Sequence, residues 1–240
     1  MNPATLQWAA LILCGVGAVI RVPGLVKGRG RSIFAALVLM TAAVALSLSP
    51  IYLAVDGFIG GVNLANLMLR LILFAVFLLL GIRMAAAFGS ALARRLIAGP
   101  FGVTVLALSV IATLYFFIAS ELPMSSRGLS AFEDQDTVQQ YGTVGRFYPG
   151  YVSACLVPAA LASCLDRGAR PMHRIAGTLL VGAFLLVVLF VGLRLLSVEL
   201  HQWDVILPFT AVLLTAVGLC LIWLSRTLSD RRRQRRNLLA

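Results

Sequence analysis

Charge is scarce in this 240-residue chain: 12% of its residues are Asp, Glu, Lys or Arg and 60% are hydrophobic. A soluble domain carries about 25% charged residues, so that composition, with a mean hydropathy of +0.97, excludes one. Lysine is almost missing. Lys27 is the only one and lies between apolar runs, which leaves no span able to hold retinal as a Schiff base. Histidine occurs only as His173 and His201. No GxSxG, HExxH, Walker A or GxGxxG motif stands in a suitable context. The buried Asp pair or Ser–His pair of an intramembrane protease is also missing, so neither an enzyme nor a cofactor is expected. The cysteines Cys14, Cys155, Cys164 and Cys220 all fall inside apolar runs with no CxxC, as packing residues do. They imply no disulfide or metal framework.

What is present is a series of apolar runs near the ~20 residues needed to cross ~30 Å of hydrocarbon. Bounded by charges and turn residues, they predict seven spans: 4–21, 33–55, 64–84, 101–119, 148–165, 175–198 and 205–225. The expected fold is all-α: an integral membrane bundle of seven transmembrane helices in one domain, residues 1–225. A basic tail, 226–240, follows, and the longest connector is 120–147. Met1 to Gln7 carries no positive charge, and Leu13 precedes Cys14, so neither a cleaved signal nor a lipoprotein site is expected.

The net charge of +11 is distributed as a topology signal, which excludes nucleic acid as a partner. Arg21, Lys27, Arg29, Arg31, Arg83, Arg94, Arg95, Arg167, Arg170, Arg174 and six tail arginines share one side of the predicted bundle. Arg127 and Arg146 lie on the other, with seven of the nine acids. By the positive-inside rule the basic side is cytoplasmic, so the N-terminus is outside and the C-terminus cytoplasmic, in the plasma membrane. The tail is expected to meet anionic lipid headgroups, at roughly 1 kcal/mol per arginine near the surface. A cytoplasmic protein is a further candidate partner. Ala10, Cys14 and Ala18 form a small-residue stripe on span one. Pro50 and Pro158 fall inside spans two and five, where proline bends a helix.

Charges inside a span cost about 2.5–3.5 kcal/mol or more at mid-bilayer, so each needs a reason. Arg70 and Arg194 both fall in the outer half. Asn63, Asn66 and Arg70 share one face of span three at spacings of three and four. Tyr52 and Tyr115 lie at similar depth, and Asp56 stands just outside span two. By contrast, the inner half of span three, Phe74 to Leu80, has no polar side chain. The bundle reads as wet at the outer end and dry at the inner one. Three readings fit: a pocket in which Arg70, Arg194, Asn63, Asn66, Asp56, Tyr52 and Tyr115 take a small anionic molecule or lipid; internal pairing of Arg70 with Asp56 and of Arg194 with Glu199 or Asp204; or arginines snorkelling to headgroups. Glu199, His201 and Asp204 are the nearest approach to a metal cluster, but their spacing matches no closed zinc site, so no metal is expected.

One string is more specific. Trp8, Arg21 with its basic connector, Pro50-Ile51-Tyr52, Asp56-Gly57 and Val62-Asn63-Leu64-Ala65 resemble a family of actinobacterial seven-helix membrane proteins that carry a transporter label without a characterised activity. The likeness covers residues 8 to 90. It implies the same seven-helix topology; longer relatives add a cytosolic domain after span seven, which this chain is expected to lack. The polar asymmetry favours a sensor or interaction module with an outward-facing pocket. A transporter of a small solute or lipid and a structural membrane component are the alternatives.

Overall fold

The structure, a computed structural model, describes residues 3–26, 30–165, 171–196, 198 and 200–238. These residues form helices and no strand. In chain order they are α1 (Pro3–Val19), α2 (Val22–Val26), α3 (Arg31–Leu46), α4 (Ser49–Phe58), α5 (Leu64–Ala87), α6 (Ala91–Ala98), α7 (Pro100–Ala119), α8 (Asp136–Leu165), α9 (Pro171–Leu195) and α10 (Trp203–Leu238), with a 3-10 segment at Arg127–Phe132. Six candidate spans are long and apolar enough to cross a membrane, and α3 with α4 makes a seventh if that bent pair is one span.

Within the bundle, two boundaries differ most from the sequence expectation. The apolar run 33–55 is not one helix: it breaks at Ser47–Leu48, and α4 leaves at 94° to α3. Pro50 is the cause. It stands in the first turn of α4, where its missing N–H is harmless, whereas continuing α3 through it would lose a backbone bond and clash with the preceding turn. The second difference is α8, which begins at Asp136 rather than 148 and takes in a polar stretch that hydropathy alone assigns to a connector. Pro149 and Pro158 both lie inside it. A helix not foreseen, α6, carries Arg94 and Arg95, and its first turn is capped by Ser90 Oγ accepting from the Ala93 N–H at 3.1 Å.

Six helices close into a ring. Each packs on two neighbours in the order α1, α3, α5, α8, α9, α10 and back to α1, while α7 sits outside against α8, α6 and α5. A narrow buried stripe on α7 (Gly102, Ser109 and Thr113) faces the ring, flanked by half-buried Val105, Leu106 and Val110, while Phe101, Val103, Leu108, Ile111 and Ile118 leave an exposed apolar face. On α1 the stripe of Ala10, Cys14 and Ala18 is buried, as its small side chains suggested.

The starts of α1, α5, α8 and α10 and the ends of α3, α7 and α9 share one end of the bundle, here the mouth end. At the opposite end stand Arg21, Arg31, Arg83, Arg94, Arg95 and Arg174, each at or near a helix terminus. That end is solid. Leu37, Met40, Met84, Leu156, Leu180 and Leu219 belong to one packed core drawn from the ring helices. Lys27, Arg29, Arg167 and Arg170 fall outside the described residues. The predicted tail continues α10 as helix to Leu238.

Candidate functional site

At the mouth end the ring encloses a cavity of about 480 Å³, to which all six of its helices contribute. Gln7 comes from α1, Met40 from α3, Asn66 and Arg70 from α5, Arg146 from α8, Arg194 from α9 and Asp204 from α10. Below the arginines the walls are Leu73, Phe77, Val152, Val187 and Val212, and the floor is Met40, Leu80, Leu156 and Phe184. A second cavity, about 530 Å³ and polar, adjoins the first and shares Arg70, Arg146, Arg194, Glu133 and Asp204 with it. Gln139, Tyr141, Thr143 and His201 are among the other residues that line it.

The three shared arginines are held differently. Arg194 Nε lies 2.8 Å from Asp204 Oδ1, each side chain about 30% exposed. Neither atom meets hydrogen-bond geometry, so charge alone joins this pair. The expected pairing of Arg194 with Asp204 is therefore present; Glu199 lies outside the described residues. Arg70 does not pair with Asp56. Its Nη1 donates to the Gly142 carbonyl at 3.2 Å, and its guanidinium stands 5.0 Å from the Tyr141 ring centroid. Gly145 makes that course possible, because a Cβ there would meet Arg70 Nη1 at 2.3 Å. Arg146 lies over the Phe190 ring at 5.9 Å. Among the described residues no carboxylate lies within 4.0 Å of Arg70 or Arg146.

Comparison with protein-family models, with curated proteins and with solved structures returns no match. The site rests on its geometry alone.

The remaining sequence candidates divide into three groups. Tyr52 and Asn66 line the apolar cavity with Arg70 and Arg194. Asn66 is nearly buried, and its Oδ1 accepts from Tyr141 OH at 2.9 Å. Asp56 and Asn63 are fully buried beside the cavity and form a latch. Asp56 accepts from the backbone N–H of Asn63 at 3.0 Å and of Ala65 at 2.9 Å, and from Ser125 Oγ. It thus satisfies donors at the start of α5 that a helix leaves unpaired, with a negative charge where the helix dipole favours one. Asn63, left-handed at φ 62°, accepts on Oδ1 from Tyr52 OH at 3.0 Å and from the Ser126 N–H at 2.7 Å. Its Nδ2 donates to the Met124 carbonyl at 2.6 Å. Asp56 and Asn63 therefore tie residues 124–126 to α4 and α5, and their polar atoms are engaged.

Tyr115 does not join the site. It is 64% exposed on the outer face of α7, edge-on to Phe116. His201 and Asp204 line the polar cavity, but no group of three possible metal ligands occurs among the described residues. Arg146, read as a connector charge, and Tyr141 line or build the site and were passed over in the sequence. Their signal was the spacing Tyr141, Gly145, Pro149 and Val152, a helical face that continues into span five.

Proposed function

We propose that this chain is a plasma-membrane receptor module that takes an anionic ligand at the mouth of its ring and does not conduct. In this reading the bent pair counts as one crossing, so seven helices span. The mouth end then faces outside with the N-terminus, and the basic end and tail face the cytoplasm, as the positive-inside rule requires. The observation that carries the proposal is the layer of Arg70, Arg146 and Arg194 across the mouth, two of them without a carboxylate partner among the described residues. Guanidinium groups held by aromatic rings and backbone are already oriented, so an anion meets them at little entropic cost.

Transport has weaker support. A through-route needs polar groups at both depths, and the packed apolar floor supplies almost none beyond Thr215. Ligand binding that shifts the ring helices would instead reach the basic end, where the arginines of the tail and short loops are suited to anionic lipid or to a cytoplasmic protein.

The test is thiol labelling in a cysteine-free background with a membrane-impermeant reagent. Ser47→Cys, at the mouth, is expected to react in intact cells and not in sealed inside-out vesicles. Ala176→Cys, buried in the core of α9, is expected to stay unlabelled from both sides. Labelling of Ser47→Cys from the cytoplasmic side alone reverses the orientation. Solute-dependent labelling of Ala176→Cys overturns the closed floor in favour of transport.

A further inference from the structure

The two cavities differ in character and meet at one layer. Above it, the polar chamber is lined by Gln139, Thr143, His201 and Asp204 with the arginines. Beneath it, the ring bore is walled mostly by hydrocarbon, with Thr215 the polar residue near its floor and Gln7 the contribution of α1. Its depth can be read independently on four helices. Ten or eleven residues separate Arg70 from Leu80, Arg146 from Leu156, Arg194 from Phe184 and Asp204 from Thr215, all of which line the bore. At 1.5 Å per residue each interval is about 15 Å. That is half of the ~30 Å hydrocarbon core, the length one lipid chain occupies in its own leaflet.

A small inorganic anion would use the arginine layer and leave this bore unfilled. Water is a poor filling, because it needs two to four polar partners, and apolar cavities stay dry for lack of them. A molecule carrying both an anionic head and a hydrocarbon chain satisfies both chambers together. The charge balance fits: Arg70, Arg127, Arg146 and Arg194 face Glu133 and Asp204 around the bore, and Asp204 is already taken by Arg194.

We infer that the ligand is a single-chain anionic amphiphile, its head against Arg70 and Arg146 and its chain lying down the ring bore. This rests on the receptor reading and adds the chemical class. Chain methylenes are worth about 0.8 kcal/mol each when taken out of water, roughly a fourfold gain in affinity per methylene.

The experiment titrates the protein in nanodiscs of zwitterionic lipid with inorganic phosphate and with butyl, hexyl, octyl and dodecyl phosphate. Alkyl trimethylammonium ions of equal chain length serve as controls. Thermal stabilisation is read at measured free aqueous concentration. The expected result is an apparent affinity that climbs with chain length, roughly fourfold per methylene over the short members, with no response to the ammonium series. Val187→Trp and Leu73→Trp fill the bore from two different helices. Whichever elutes as the parent protein does is expected to lose the chain-length dependence and keep the response to butyl phosphate. Arg146→Gln is expected to weaken the whole phosphate series at least tenfold. If inorganic phosphate stabilises as well as dodecyl phosphate, the amphiphile inference is overturned and anion binding stands. If no phosphate of any length stabilises, both fall. An equal response to the ammonium series overturns the charge assignment.

Discussion

Gly145→Ala is the sharpest probe of the arginine layer. The added Cβ would lie 2.3 Å from Arg70 Nη1 and 2.7 Å from its Cδ, so the arginine has to leave the face of α8. It then forfeits the bond to the Gly142 carbonyl and the Tyr141 ring. The first is worth about 1.5 kcal/mol, the low end for a charged donor, since 3.2 Å is long. The second adds about 0.5–1 kcal/mol. Alanine returns about 1 kcal/mol of helix propensity, leaving a net loss of about 1 kcal/mol. Gly192 in α9 is the internal control, because nothing lies within 4 Å of a Cβ placed there. Gly192→Ala should therefore gain where Gly145→Ala loses, a gap of about 2 kcal/mol. By the behaviour of domains of this size, that separates the two melting temperatures by on the order of 4–8 °C. Heating the detergent-solubilised protein and following the folded peak by size exclusion measures it. The decisive arm is the double variant Arg70→Ala/Gly145→Ala. With the arginine gone, the alanine should cost nothing relative to Arg70→Ala alone. A Gly145→Ala penalty that persists in the Arg70→Ala background refutes the reasoning.

Two further outcomes are expected. Asp56→Ala leaves the buried N–H groups of Asn63 and Ala65 without their acceptor, at about 1–3 kcal/mol each, and frees Ser125. Its clearest sign should be faster proteolysis between residues 120 and 135, and an unchanged cleavage rate would contradict the latch. Tyr115→Leu, on the exposed face of α7, should change stability by no more than about 0.5 kcal/mol in the same melting assay and leave phosphate binding untouched.

The apolar runs set the helices within a few residues wherever hydropathy and helix coincide, as in α5, α7 and the start of α10. They failed where the two part. Residues 33–55 stay apolar across a break that only Pro50 marks, and 136–147 turn polar along a helix that continues unbroken. The second failure hid Arg146, because a charge beside an apolar run reads as loop until its helix is known. Tyr115 erred through rotation rather than depth. Thr113 is fully buried, and two residues on is about 200° round the helix, so Tyr115 points away from whatever Thr113 faces. Asp56 was recognised as significant, but its partners are two backbone N–H groups beyond the turn after α4 and the hydroxyl of Ser125, far away in the chain. Residue spacing does not encode such partners.

The right-angled α4 has one more consequence. Its exposed Leu53 and the residues that follow it, Phe58 at 92% and Val62, give the mouth end an apolar arm pointing sideways, braced by the Asp56 latch at its far end. On the proposed topology, with α3 making the crossing, such an arm is expected to act as a float. It would ride where hydrocarbon gives way to headgroups and set the height of the arginine layer against the lipid surface.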